Sequence, residues 1–467
     1  MAQFSIASIA LTQVFGHPFI SKTIPLLAAS TEAEADEGLV VAGVLLSLVV
    51  IYFASKLGGE VCIRLNLPPV LGDLVGGVVV GVSVLKLLVF AEPGVLPESS
   101  VVINLLQSTA GLEPAAAAAT FHSQSEVISI LSELGVIILL FEIGLESELK
   151  ELIKYGPQAA IVAVVGVIAP FATGTLGLIY LFNSPLIPAI FAGAALTATS
   201  IGITAKVLAE IGRLTSKEGQ IIIGAAVLDD ILGIIVLAVV ASLVKTGDVE
   251  VSNILYLIVS AGVFLVGVIL LGRFLSPYYV ALVRNLKTRG PLLISGLIIA
   301  FILSYIGAAI QLEAILGAFA AGLVLGETEI QQELEEQVIP VADMLVPIFF
   351  VVVGAKTDLG VLNPAVPSNR EGLIIAAFLI LVAIVGKVIA GFTILQPNTN
   401  RLAIGIGMIP RGEVGLVFAG VGAASGALSE SLQAAVIMMV ILTTFVAPPL
   451  LRVVFKEPEA EPEEATG

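Results

Sequence analysis

Asp229 and Asp230 sit side by side in the middle of GQIIIGAAVLDDILGIIVLAVVASLV (219–244), an otherwise apolar stretch. The stretch is long enough to cross a bilayer. A carboxylate at membrane depth costs at least about 2.5–3.5 kcal/mol, and two neighbours repel each other as well. Groups held there at such cost either titrate, bind a cation, or knit helices into a polar network. Successive helical residues point ~100° apart. The two aspartates therefore cannot share a partner: one can pair with a cation while the other faces a cavity. Lys387, in AIVGKVIAG (383–391), is the candidate partner. A lone ammonium at membrane depth should find a carboxylate, unless it snorkels to an interface.

Two further stretches carry polar groups into apolar surroundings. AGAALTATSIGITAKVL (192–208) holds Thr197, Thr199 and Ser200, and GIGMIPRGEVGLVFAG (405–420) holds Pro410, Arg411 and Glu413. Proline removes a backbone N–H and clashes with the preceding turn. A helix broken at membrane depth is tolerated only against protein or a water-filled cavity. The hydroxyls of 197–200 could line such a cavity, or the small residues could merely allow close packing. Arg411 and Glu413 read as a structural ion pair that neutralises unpaired helix ends at the break. Asp73 and Glu142 also lie in apolar stretches, where packing and a place at a cavity mouth stay open. His17 and His122 have no ligand cluster around them, and Cys62 stands alone, so no metal site or intrachain disulfide is expected.

The elements that must position these groups follow from composition. The 467 residues are 58% hydrophobic and only 12% charged, with a mean hydropathy of +1.09; a soluble chain of this size exposes far more charge. Thirteen spans are expected: 38–56, 68–90, 127–147, 156–183, 186–210, 219–244, 252–283, 292–310, 313–326, 341–357, 372–395, 402–426 and 430–455. This is an all-α polytopic membrane protein. Residues 1–37 form an N-terminal segment, either a signal peptide of poor pattern or an extra helix. The net charge of −16 gathers in TEAEADE (31–37), ETEIQQELEE (327–336) and EPEAEPEE (457–464), solvated acidic segments that leave no basic stripe for nucleic acid. Most loop lysines and arginines fall on one side of the span map, and the long loop 91–126 on the other side has none. The positive-inside rule then puts the C-terminus, with its acidic tail 456–467, in the cytoplasm.

An internal repeat ties the chemistry to the architecture. VLGDLVGGVVVG (70–81) resembles ILGAFAAGLVLG (315–326), and GVIILLFEIGLESEL (135–149) resembles VPIFFVVVGAKTDL (346–359). Gly72 and Gly317 are 245 residues apart, Gly144 and Gly354 210 apart; the difference of 35 matches the long loop 91–126. With the second offset Ser200 falls on Pro410. The two units start on opposite sides of the membrane, so they are inverted six-helix repeats. Interrupted helices at corresponding repeat positions point to a midplane binding site.

LDD at 228–230, TATS at 197–200, GK at 386–387 and PRGEVGLV at 410–417 together resemble the monovalent cation:proton antiporter-2 family, and the chain looks close to its cyanobacterial-type Na+/H+ antiporters. The resemblance covers 38–455. It implies the sodium/proton antiporter fold, with crossed broken helices, a core transport domain (156–244 and 372–455), panel or dimer helices (38–147 and 292–357), a linker helix (252–283) and a homodimer. It places the ion-binding carboxylate at Asp230 and pairs Asp229 with Lys387. The expected activity is secondary active exchange of Na+ for H+, with Asp230 holding either ion and no cofactor. An Asp229–Lys387 relay would make the exchange electrogenic. A K+/H+ antiporter of the same fold and a passive cation channel are the rivals. An intramembrane aspartyl protease needs carboxylates facing one another from different helices, which adjacent residues do not give. The plasma membrane and the thylakoid membrane stay open as locations. Glu142 departs from the apolar residue expected at its place.

Overall fold

The computed structural model describes residues 37–91, 95–111, 113–246, 251–363 and 367–455. The N-terminal segment up to 36 and the acidic tail 456–467 lie outside the described residues. Within them the chain folds into helices α1 (Glu37–Arg64), α2 (Pro69–Val80), α3 (Val101–Ala110), α4 (Pro114–Glu146), α5 (Leu149–Lys154), α6 (Gly156–Phe182), α7 (Leu186–Ala195), α8 (Ile201–Glu210), α9 (Lys217–Thr246), α10 (Val251–Asn285), α11 (Pro291–Ala309), α12 (Ala314–Gly326), α13 (Gln331–Ala355), α14 (Pro367–Phe392), α15 (Arg401–Gly407), α16 (Glu413–Ala424) and α17 (Glu430–Val454). Among the described residues nine helices are long and apolar enough to cross a membrane. Adding short α2 and α12, and taking α7/α8 and α15/α16 as one broken crossing each, yields thirteen crossing elements.

Several boundaries differ from the hydropathy pattern, for physical reasons. The second crossing, expected over 68–90, stops at Val80. Gly81 turns out of the helix there against α13, where a Cβ would lie 2.3 Å from the Ala355 carbonyl oxygen. The third crossing starts at Pro114, not 127. Proline suits the first helical position and the alanine run behind it has the highest helix propensity. Residues 114–126, expected as loop, are therefore the first turns of α4. α13 likewise begins at Gln331 rather than 341, because QQELEEQ is polar yet helix-forming. Hydropathy marks where a helix enters lipid, not where it starts.

The inverted repeat closes on itself through four glycines. α2 packs on α13 and α12 on α4, so each unit's short helix lies against the other unit's long one. A Cβ on Gly77 would lie 2.2 Å from Val351 O, and one on Gly354 2.1 Å from Leu74 O. The counterparts match pair by pair: Gly322 meets Phe141 O at 2.3 Å and Gly144 meets Phe319 O at 2.4 Å. Only a residue without a side chain allows backbones this near, and small residues are what membrane helices use to approach closely. These four helices, with α1 and α11 outside them, form one group. α6, the two broken pairs, α9, α14 and α17 form a second. α10 is the most peripheral, with only 17% of its most apolar window buried; Val259, Val263, Leu270 and Phe274 face outward from it. Apolar surface on that scale is compatible only with lipid or another protein.

Candidate functional site

Both broken crossings part at the residues that resist a helix. α7 stops at Ala195 and α8 starts at Ile201, leaving 196–200, LTATS, between them. Hydroxyl side chains there compete for backbone hydrogen bonds. α15 stops at Gly407 and α16 starts at Glu413, leaving 408–412, MIPRG, around Pro410. Each break exposes carbonyls and amides that lipid cannot satisfy, and the two breaks satisfy each other. Ser200 N–H donates to Pro410 O at 2.8 Å. Thr199 Oγ1 donates to Met408 O at 3.2 Å and Thr204 Oγ1 to Gly407 O at 2.8 Å. Thr444 Oγ1, from α17, donates to Arg411 O. The broken helices thus meet at one point.

Charge gathers at that point. Asp229 is fully buried and Asp230 is 3% exposed; Lys387 and Arg411 are fully buried. Lys387 therefore does not snorkel. Its Nζ donates to both Asp229 oxygens, at 3.2 and 3.1 Å, and to Thr197 O at 2.9 Å. Arg411 Nη1 donates to Thr197 O at 3.1 Å and to Ala198 O. Two cations thus face the carboxyl end of α7, where the helix dipole is negative. Asp230 lies one residue further along α9, rotated away from the Asp229–Lys387 pair by the helical pitch. Ser200 Oγ is buried and has no hydrogen-bond partner among the described residues.

The structure brings Asp229, Asp230, Lys387, Thr197, Thr199, Ser200 and Arg411 together, and it sorts the three hydroxyls. Thr197 Oγ1 is used within its own turn, donating to Ala194 O at 2.8 Å; its carbonyl, not its hydroxyl, holds Lys387. Thr199 staples the breaks. The Arg411–Glu413 pairing lies outside the described side chains, since that of Glu413 is not described. Glu142, on α4, is buried with Oε2 unpartnered among the described residues. Sequence reading passed over Thr204, Thr444 and Gly166. The two threonines stand in apolar stretches, which is a usable signal. Gly166 is not visible as special: a Cβ there would lie 3.3 Å from Lys387 Nζ, so α6 leaves the lysine its room.

A family model described as sodium/hydrogen exchanger, transmembrane, matches residues 44–457. The chain is 70% identical over 454 residues to the high-affinity Na(+)/H(+) antiporter NhaS3 of Synechocystis, covering 97% of this chain and 98% of that one. It is 32% identical to the Na(+)/H(+)-K(+) antiporter GerN of Bacillus cereus, over 87% of this chain and 95% of GerN. The solved structure of the sodium proton antiporter MjNhaP1 from Methanocaldococcus jannaschii superposes with a TM-score of 0.55 at 16% identity, covering 89% of this chain and 96% of that one. At that identity the likeness speaks for the fold alone.

Proposed function

This chain belongs to the sodium/hydrogen exchanger family, and we propose that it exchanges Na+ for H+ across a membrane by competition for the carboxylate of Asp230. The observation that carries this reading is the burial of two adjacent aspartates on a helix that packs against both helix breaks. Asp229 is neutralised by Lys387 at 3.1 Å. Asp230 stands beside it on α9, which packs against both broken pairs, and the Ser200 hydroxyl in one of the breaks is buried. An ionised Asp230 can hold a partly dehydrated Na+, with Ser200 Oγ and carbonyls of the breaks as further oxygen donors. A protonated Asp230 cannot. One site then carries either ion and never both.

The remaining parts have different tasks. Arg411 and Thr199 hold the breaks in register. Lys387 binds Asp229 and can release its proton when Na+ arrives, which makes the pair a second proton carrier and the exchange electrogenic. The helices around the crossing (156–244 and 372–455) form the moving core and the glycine-locked group (38–147 and 292–357) the panel, with 252–283 as linker. Alternating access is then a rigid displacement of core against panel. The loop charges support a cytoplasmic C-terminus, and the reading extends to a homodimer with one site per copy.

Reconstituted vesicles test this. Na+ added to wild-type proteoliposomes is expected to drive proton movement, and Asp230→Asn to abolish it. Retained Na+-dependent proton flux in that variant rejects the site. Na+ flux without coupled protons would indicate a channel instead. Substituting K+ or Li+ for Na+ in the same vesicles reads out selectivity.

A further inference from the structure

α2 opens with two prolines. Pro68 occupies the N-cap and offers no side-chain acceptor, and Pro69 follows at the first helical position. The first N–H of the helix is therefore that of Val70, which is fully buried. A buried amide out of reach of water must find an acceptor. It comes from 140 residues away: Val70 N–H donates to both Glu210 carboxylate oxygens, at 3.2 and 3.3 Å. Glu210 is the last residue of α8, a half-helix of the crossing. Lys206 on α8, Asp73 on α2 and Arg452 on α17 are its charged neighbours. A carboxylate at a helix N-terminus is favoured by the dipole, and charge makes the hydrogen bond stronger than a neutral one.

The inverted repeat lacks this contact at its other end. The offset of 210 places Gly420 of α16 opposite Glu210, and the offset of 245 places Ile315 of α12 opposite Val70. Gly420 has no side chain, and a Cβ there would meet nothing within 4 Å. α8 packs on α2 and α4, and a Cβ on its Gly202 would touch Val136 of α4 and Phe349 of α13. Among the described residues α16 has no comparable packing on α12 or α13. Among the described residues helix packing across the seam between the two groups is therefore present for α8 and missing for its counterpart α16.

We infer that Glu210 is a positioning residue of the exchange cycle: its carboxylate latches α8 to the N-terminus of α2 and holds that end of the seam shut. The inference rests on the reading of core and panel as moving parts. Displacing the core to open the α8 end breaks the bond. Removing the latch biases the protein toward opening there, by about tenfold for one charge-assisted hydrogen bond. A ligand's apparent affinity scales with the fraction of protein competent to bind it. Glu210→Ala is therefore expected to lower the KM for Na+ offered at the α8 face and raise it at the other face. The ratio of the α8-face KM to the other-face KM then falls by about tenfold relative to wild type. Glu210→Gln, which keeps an acceptor without charge, shifts them less, and Glu210→Asp least.

Oriented proteoliposomes with Na+ supplied to one face at a time give both values. Unchanged KM values at both faces, with kcat lowered equally, overturn the latch; if Glu210→Ala does not fold, Glu210→Gln carries the same test. A second readout needs no transport. Hydrogen exchange of the peptide over 68–76 in detergent is expected to speed up about tenfold in Glu210→Ala, and exchange at the wild-type rate overturns the latch. A wild-type chain that moves no Na+ but whose variant exchanges faster would sink the transport reading and leave the latch standing.

Discussion

At the scale of single residues, the proposed site turns on two adjacent buried carboxyls, one of them held by a buried lysine. Asp229 and Lys387 are both fully buried, so removing either partner strands a charge in a medium that cannot solvate it. Asp229→Asn and Lys387→Ala should each destabilise the protein by about 3–5 kcal/mol, and joining Asp229→Asn to Lys387→Met should recover most of that. Thermal unfolding in detergent checks this; a double variant no more stable than either single one would refute the pairing. Under the proposed reading Ser200→Ala removes one oxygen donor without touching the carboxylate. It should raise the KM for Na+ several-fold and leave the proton branch intact. Competition at Asp230 has its own signature in pH. Below the pKa of the site protons displace Na+, so the apparent KM for Na+ rises by about tenfold for each unit of acidification. Above the pKa it is flat. Initial rates over a pH series would show this, whereas a KM independent of pH throughout, with only kcat changing, would rule competition out.

At the scale of helices, the sequence states which segments cross the membrane far better than it states how they end. The carboxylate pair, the lysine and both helix breaks stand out because polar groups and proline are conspicuous in apolar runs. Gly166 does not stand out, because one glycine among 46 carries no mark of the lysine packed on it. Nor does Glu210, whose partner is a backbone amide 140 residues away. The four crossing glycines are intermediate cases: the repeat aligns Gly144 with Gly354 and Gly77 with Gly322, but only the fold shows that each meets the other unit's partner. That arrangement predicts paired effects. A methyl on Gly144 would lie 2.4 Å from a carbonyl oxygen, and one on Gly354 2.1 Å. Gly144→Ala and Gly354→Ala should each cost about 1–3 kcal/mol and to a similar extent. Gly262→Ala in α10, where a Cβ meets nothing within 4 Å, should cost nothing or stabilise by about 0.5–1 kcal/mol. Melting temperatures that fall equally for all three would mean that the glycines mark flexibility rather than close approach.

At the scale of the whole molecule, the quantity that matters is how much charge one cycle carries across the bilayer. The site holds two candidate proton carriers, Asp230 and the Asp229–Lys387 pair, against a single Na+. If both carriers exchange their protons in each turn, two H+ move one way and one Na+ the other, and one net positive charge travels with the protons. A potential negative on the side that receives protons then drives Na+ out of that side. The electrical work is about 2.3 kcal/mol per charge per 100 mV, which multiplies the equilibrium Na+ ratio by about 50. With only Asp230 exchanging, H+ and Na+ cancel and the potential has no purchase. The expected outcome for the wild-type chain is therefore a Na+ gradient that steepens by that factor when an ionophore sets 100 mV across proteoliposomes at fixed pH. In the Asp229→Asn, Lys387→Met double variant the second carrier is gone, and any exchange that remains should ignore the potential. A wild-type gradient insensitive to voltage would leave Asp230 as the transport site but confine Lys387 to holding Asp229 and the broken end of α7 in place. A double variant that still responds to voltage would move the second proton to another group, with Glu142, buried on α4 with an unpartnered oxygen among the described residues, the first to substitute.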